Sequence, residues 1–213
     1  SARALSKSYG GLRAVNAASL DLFPGEVVAL VGDNGAGKST FVKMLSGVIM
    51  PDAGALALHG SEVRFTSPTQ ARKAGIETLH QSLALVDVFN VPENIFLGRE
   101  LSTRRFGVVP VLDKAAMRTR TLDLLQRIGA HLPSIDRPVR SMSGGQRQAI
   151  AIARLLLNEA HLLIMDEPMA ALGVDEGRKV LDLIAELRAR GLTVLIISHN
   201  LEHVFSVADR ICV

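Results

Sequence analysis

The chain has 213 residues, 48% of them hydrophobic, which suits one large or two small domains with a proper core and excludes a disordered chain. Lys and Arg number 24 against 21 Asp and Glu, a formal net charge of +3, and aromatic residues make up only 4%. Among the arginines only Arg104 and Arg105 are adjacent, so neither a basic cluster nor a set of stacking aromatics marks a nucleic-acid reader. One cysteine, Cys212, excludes an intramolecular disulfide framework; in its apolar surroundings it reads as a buried, inert side chain.

The chain starts at Ser1 in a strand-like segment and stops at Ile211-Cys212-Val213 inside another, so both ends read as clipped from a longer polypeptide. No apolar run approaches the roughly 18 to 20 residues of a membrane span, and residues 1–20 hold no signal-peptide core. The apolar run Val27 to Val31 predicts a buried strand. It leads into Gly32-Asp33-Asn34-Gly35-Ala36-Gly37-Lys38-Ser39-Thr40, which fits G-x-x-x-x-G-K-[ST]. Gly32, Gly35 and Gly37 let the backbone wrap an anion and turn its N–H groups inward. Lys38 supplies a point charge for the β- and γ-phosphates, and the Ser39 hydroxyl suits Mg²⁺. A helical run from Thr40 to Ser46 follows and stops at Gly47. Strand, glycine-rich loop and helix N-terminus together form a phosphate site.

The middle of the chain reads differently. Between about Val86 and Leu157 no clear strand is expected; Pro92 to Leu97 looks like a helix start, and Lys114 to Ile128 is helical with Leu122, Leu124, Leu125 and Ile128 apolar. Ser143-Gly144-Gly145-Gln146 opens a helix from Arg147 to Leu157. A serine and glycines there make either an ordinary cap or a second anion site. Two phosphate elements with one Lys38 are both used if two copies pair head to tail.

Leu162 to Met165 and Thr193 to Ile197 read as further parallel strands, continuous rather than alternating because helices cover both faces. The first ends in Asp166-Glu167-Pro168. A carboxylate at a strand tip beside a phosphate loop suits Mg²⁺, which falls to Asp166, and Glu167 is placed to take a proton from an attacking water. Val180 to Arg190 is helical with Gly191 as its stop. The expected fold class is therefore α/β, a phosphate-loop core with a mainly parallel sheet and an inserted helical subdomain, with 1–86 and 158–213 as the core and 87–157 as the insertion.

With these motifs in this order, the chain resembles the ATP-binding subunits of ABC transporters over essentially its whole length; Ser143-Gly144-Gly145-Gln146 matches that family's signature motif. The resemblance implies ATP and Mg²⁺ as ligands. It implies that Tyr9 stacks on adenine, that Gln81 contacts Mg²⁺ and the attacking water, and that His199, after the last long strand, senses the γ-phosphate. Met142 stands where the signature usually begins with Leu, and Gly173 replaces a common Asp in Ala170-Ala171-Leu172-Gly173. Leu83 to Asp87, Glu93 to Glu100, Met169 to Gly173 and Asn200 to Phe205 resemble the bacterial monosaccharide importers of the ribose, xylose and fructose group. That resemblance implies three partners: a second ATP-binding subunit in a head-to-tail dimer, an integral membrane permease and, indirectly, an external sugar-binding protein. No nucleic acid is implied, and the chain is expected at the cytoplasmic face of the membrane, held by the permease. The alternative is a soluble ABC-type ATPase acting on ribosomes or DNA; the coiled-coil insertion, tandem half or basic arm that would mark it is not seen in these residues. Among Val88, Phe89, Val91 and Phe96, one or two are expected to be exposed as a docking surface and the rest to be core.

Overall fold

The computed structural model describes residues 1–80, 82–105, 109–157, 160–170 and 172–213. In chain order its elements are β1 (Ala2–Tyr9), β2 (Leu12–Leu20), β3 (Val27–Leu30), α1 (Lys38–Leu45), β4 (Ala53–Leu58), β5 (Ser61–Val63), α2 (Pro68–Lys73), β6 (Ile76–Leu79), α3 (Val91–Ile95), β7 (Ser102–Arg105), β8 (Val109–Leu112), α4 (Lys114–Arg127), α5 (Gly144–Leu155), β9 (Leu162–Asp166), α6 (Val174–Ala189), β10 (Thr193–Ile197), α7 (Leu201–Val207) and β11 (Arg210–Cys212). They form two compact units: Ser1–Gln81, Glu159–Pro168 and Leu187–Val213 in the first, Ser82–Asn158 and Met169–Glu186 in the second.

The first unit contains a parallel sheet in the order β11-β3-β10-β9-β6. Its three central strands are the apolar runs legible in the sequence, and β10 pairs in parallel with both β3 and β9. Successive side chains leave opposite faces. Val28 joins a large cluster with Phe41, Met44, Leu45, Ile164 and Leu195, while its neighbour Ala29 packs on the other face with Val31 and Val204 of α7. Burial on both faces is why these strands carry no polar alternation. Cys212 is half-buried, packed against the larger cluster, so its reading as a buried side chain is corrected to a partly buried one.

A second, antiparallel sheet has the order β2-β1-β4-β5. Its β1–β2 ladder is interrupted by irregularities, with Ala4 and Ala17 at positive φ. The N–H groups displaced there donate to hydroxyls instead, Ala4 to Ser19 Oγ at 2.9 Å and Ala17 to Ser6 Oγ at 2.9 Å. Bulges of this kind break the period-two pattern that would have exposed the strands in the sequence.

The second unit is mainly helical. In α3, Asn90 and Glu93 form a reciprocal capping box. Asn94 is fully buried; its amide donates to the carbonyls of Val86, Phe89 and Asn90, and its Oδ1 accepts from Val86 N at 2.7 Å. One side chain thereby fixes the 86–90 turn. The expectation of no strand in this region is corrected: β7 and β8 form an antiparallel pair, with Ser102 opposite Leu112. Every residue of β8 is exposed and one is Pro110, so neither burial nor alternation advertised it. Leu122 is likewise exposed on α4, whereas Leu124, Leu125 and Ile128 are buried. Val91 and Phe96 are core, and Val88 and Phe89 are exposed, as the split reading of that apolar group expected. The second unit also begins the long helix α6 earlier than its periodicity suggested, because Val174 is exposed and adds no apolar signal.

Candidate functional site

Strand register in the first unit brings the chemistry together. Ile197 on β10 lies beside Leu30 on β3 and Asp166 on β9, so three adjacent parallel strands end side by side. Ligands in open α/β sheets bind at this carboxyl edge. The loop after β3 is the glycine-rich segment, the loop after β9 begins with Glu167, and the loop after β10 contains His199.

Gly32, Gly35 and Gly37 all have positive φ, 144°, 89° and 94°. Gly37 is the cap of α1 and is doubly constrained: a Cβ there would lie 2.2 Å from the Ala14 carbonyl oxygen. The loop is thus seated directly on β2. Lys38 is half-buried, and its Nζ donates to the carbonyls of Gly32 at 2.6 Å and Asp33 at 2.8 Å, which holds the ammonium over the loop. Asn34, Gly35 and Ser39 are exposed, and Thr40 is half-buried on the first turn of α1. The α1 N-terminus carries no side-chain cap and no acidic residue in its first turn, the setting in which a helix N-terminus accepts an anion. Tyr9 is 48% exposed at the tip of the β1–β2 hairpin, whose β2 arm also supplies Ala14.

Asp166 and Glu167 are both half-buried but differently placed. Burial pushes the Asp166 carboxyl above its ordinary range and the neighbouring Glu167 charge adds to this, against the pull of His80, Lys38 and Lys43. Glu167 has φ of 51°, a left-handed conformation that costs an ordinary residue about 1–2 kcal/mol. Its N–H donates to Ile197 O at 2.9 Å, and its Oε1 lies 2.7 Å from His199 Nδ1. His199 is held between two local caps, Ser198 Oγ accepting from Asn200 N and Asn200 Oδ1 accepting from Glu202 N at the start of α7. Strain at a residue fixed by a strand neighbour and a histidine is a feature of working sites. The structure therefore brings Glu167 and His199 into contact, with Asp166 one residue away. Gln81 lies outside the described residues.

In the second unit Ser143 caps α5, accepting from Gln146 N at 3.4 Å while Gln146 Oε1 accepts from Ser143 N at 3.0 Å. Gly144 and Gly145 do not have positive φ. A Cβ on Gly144 would approach Leu172 Cδ2 to 2.6 Å, so that side chain would have to swing aside. Met142 is buried beneath the motif, the role an apolar residue serves there. Ser143, Gly145 and Gln146 border a cavity of about 390 Å³ that Lys179 and His131 also line.

Three residues of consequence carry weaker signals. Ala14 matters through its backbone, which leaves no sequence trace. Glu176 packs against the motif, its Oε2 3.1 Å from where a Cβ on Gly144 would lie, and its spacing three residues after Gly173 is a capping-box spacing open to detection. Asp87 pairs with Arg147 of α5 at 2.6 Å.

A family model described as ABC transporter matches residues 15–170. The chain is 47% identical over 99% of its length to the fructose import ATP-binding protein FrcA of Rhizobium meliloti, covering 82% of that protein. It is 46% identical to the xylose/arabinose import ATP-binding protein XylG of Sulfolobus acidocaldarius, with 99% of this chain and 82% of that protein aligned. Against the ribose import ATP-binding protein RbsA of a Jannaschia species it is 42% identical over 98% of its length but spans only 40% of the relative. Among solved structures, a nucleotide-free ATP-binding cassette from an ABC transporter superposes with a TM-score of 0.86 at 25% identity, covering 99% of this chain and 85% of the other. The phosphate-loop geometry, the carboxylates at the strand edge and these relationships together show that the chain belongs to the ATP-binding proteins of the ABC transporter family.

Proposed function

We propose that this chain is the ATP-binding and hydrolysing subunit that energises import of a monosaccharide through a partner membrane permease. The observation that carries the ATPase chemistry is the convergence of the Lys38 loop, Glu167 and His199 at the ends of adjacent strands β3, β9 and β10.

The roles follow from the donors available. The N–H groups of Gly32, Asn34, Gly35, Gly37, Ser39 and Thr40 cradle the phosphates, and Lys38 exchanges its two carbonyl partners for phosphate oxygens. Tyr9, exposed at its hairpin tip, stacks on the adenine. Hard oxygen donors suit Mg²⁺, and a cation would relieve the charge that burial and Glu167 make costly on Asp166. Ser39, Asp166 and Gln81 would hold the ion, which would supply charge neutralisation for the phosphates. Glu167 accepts the proton of the water whose oxygen attacks the γ-phosphorus as the bond to the β-phosphate oxygen breaks. His199, through Nδ1, fixes the Glu167 carboxylate in position and leaves its other ring nitrogen for the γ-phosphate.

Ser143, Gly144, Gly145 and Gln146 complete the site from a second copy in a head-to-tail dimer, where the adjoining cavity has room for the ribose of the bound nucleotide. In this arrangement residues 87–157 act as the helical subdomain, and exposed Val88 and Phe89 meet the permease. The names of the relatives, which import fructose, xylose or arabinose, and ribose, support a monosaccharide cargo. Among the described residues no helix is long and apolar enough to cross a membrane, which fits attachment through the permease.

The test is co-purification from the source cell after gentle detergent extraction. A stoichiometric integral membrane protein is expected, with ATPase activity raised by a sugar-loaded binding protein. Recovery with ribosomes or DNA instead would overturn the transport role and leave the ATP chemistry standing.

A further inference from the structure

Two arginines of α5 hold the segment that carries Val88 and Phe89. Arg147 and Arg154 are two helical turns apart, so they leave one face of the helix about 10 Å apart along its axis. Arg154 donates from both Nη atoms of its guanidinium, to Ala84 O at 2.8 Å and to Leu83 O at 3.0 Å. Arg147 Nη2 donates to Asp87 Oδ1 at 2.6 Å. The turn leading into α5 adds two backbone bonds, Arg140 N to Asp87 O at 3.0 Å and Val139 N to Phe89 O at 2.9 Å. The backbone of this segment is thus bonded inward, while Val88, 64% exposed, and Phe89, 37% exposed, stand outside. At the other end of the tie, Arg147 N donates to Ser143 O at 2.9 Å, so the pair with Asp87 sits one helical turn from the Ser143 element.

Neither arginine is explained by what α5 itself needs. An exposed ion pair adds little stability, and a cation near a helix N-terminus opposes the helix dipole. Arg147 is near the start of α5, so its charge does not serve that helix, and Asp87 takes it up. Ala84 has φ of 48° although it is exposed and not a glycine, a conformation kept only where neighbours fix it. Arg154 grips the carbonyls on either side of that residue's Cα, and a planar fork with two donors is suited to the task.

Resting on the reading of Val88 and Phe89 as the permease surface and of Ser143–Gln146 as the phosphate-binding element, we propose that Asp87, Arg147 and Arg154 are positioning residues. They make the permease-facing segment a rigid extension of α5, so that a push on Val88 and Phe89 is delivered to the phosphate-binding end of the same helix. Cutting these bonds leaves both surfaces in place and disconnects one from the other.

The experiment measures ATPase activity of the permease-bound full chain with and without sugar-loaded binding protein, beside that of the chain alone. Asp87→Ala is expected to keep the basal rate and the co-purification with the permease, and to lower the stimulated rate by about two- to thirty-fold. Asp87→Glu keeps a charge for Arg147 and is expected to restore most of the stimulation. Arg154→Lys keeps the charge but loses the fork that reaches both carbonyls, and a loss like that of Asp87→Ala is expected. Thermal melts establish that each variant is folded, and either Asp87→Ala or Arg154→Lys carries the test if the other melts early. Normal stimulation in the folded variants overturns the positioning role. So does a basal rate that falls as far as the stimulated one, or an Asp87→Glu variant as impaired as Asp87→Ala. Val88→Asp combined with Phe89→Asp separates the two levels. If it abolishes co-purification while Asp87→Ala is stimulated normally, only the positioning role falls. If it leaves co-purification and stimulation intact, the permease reading of Val88 and Phe89 fails and the positioning role fails with it.

Discussion

Replacement of Gly37 by alanine separates two reasons for a glycine in a phosphate loop. At Gly37 φ is 94°, and the added Cβ would sit 2.2 Å from the Ala14 carbonyl oxygen and 3.2 Å from Val15 Cγ2. Real Cβ atoms essentially never approach below 3.0 Å, so the loop has to retreat from β2 by about 0.8 Å. The obstacle is backbone in a paired strand and cannot swing aside as a side chain would. A displacement near 1 Å at a site built on positioning costs about 10²-fold in rate, and the left-handed conformation adds about 1–2 kcal/mol against folding. Gly37→Ala is therefore expected to lower kcat/KM for ATP by about 10²-fold and to lower Tm. Gly35 provides the comparison. Its φ is 89°, yet an added Cβ meets nothing within 4 Å, so Gly35→Ala is expected to lose about 1–2 kcal/mol of stability while keeping much more of its activity. Steady-state ATPase assays and thermal melts on both variants check this. Equal catalytic losses in the two, or near-normal turnover in Gly37→Ala, would refute the steric argument.

Further expectations concern the strand-edge carboxylates and the second unit. Lys38→Ala is expected to abolish ATP binding, and Glu167→Gln to bind ATP normally but hydrolyse it about 10²- to 10⁴-fold more slowly, as single-turnover assays would register. His199→Ala is expected to lower kcat by about 10²-fold and to weaken ATP affinity by less, because it frees the Glu167 carboxylate while the Lys38 loop still holds the phosphates; a loss confined to affinity would contradict this. The Asp166 carboxyl is raised in the folded chain, so the folded state holds its proton more tightly than the unfolded one, and stability contributed by this group falls as pH rises through that window. Asp166→Asn is accordingly expected to raise Tm at neutral pH, with the gain fading on acidification and gone below the ordinary value of 3.8; a gain largest in acid would reverse the sign and refute it. Asn94→Leu strands the Val86 N–H and three carbonyls that the Asn94 amide satisfies, and a loss of roughly 2–4 kcal/mol in chemical denaturation is expected.

The residues easiest to read in the sequence were those whose chemistry is local. Val27 to Val31 and Thr193 to Ile197 announce buried strands because both faces are covered, and the spacing from Gly32 to Ser39 is the loop itself. The antiparallel sheet was hidden because β1 and β2 are bulged, with Ser6 and Ser19 completing bonds that alternation alone does not reveal. The β7–β8 pair was hidden because it is solvent-exposed and carries Pro110. At the site, the contacts missed were long-range ones. Ala14 is 23 positions before Gly37 in sequence yet fixes its identity, and nothing about an alanine foretells that its carbonyl oxygen will stand against a loop.

At the strand edge two consecutive carboxylates are held in different settings. In an extended strand Asp166 and Glu167 would leave opposite faces of the sheet. The left-handed turn at Glu167 ends the strand abruptly, while its N–H still donates to Ile197 O, so Glu167 stays beside β10 and meets His199. Asp166 stays in register on β9, half-buried, with its charge made costly by burial and by Glu167. A charge in that setting suits the cation-holding role proposed for Asp166, and the contact with His199 fixes the orientation of the carboxylate proposed as the base. One backbone dihedral thus separates the two carboxylates as the proposed division of labour requires, and the strain it costs is retained because the β9–β10 pairing, the Ile197 hydrogen bond and His199 all determine the same conformation.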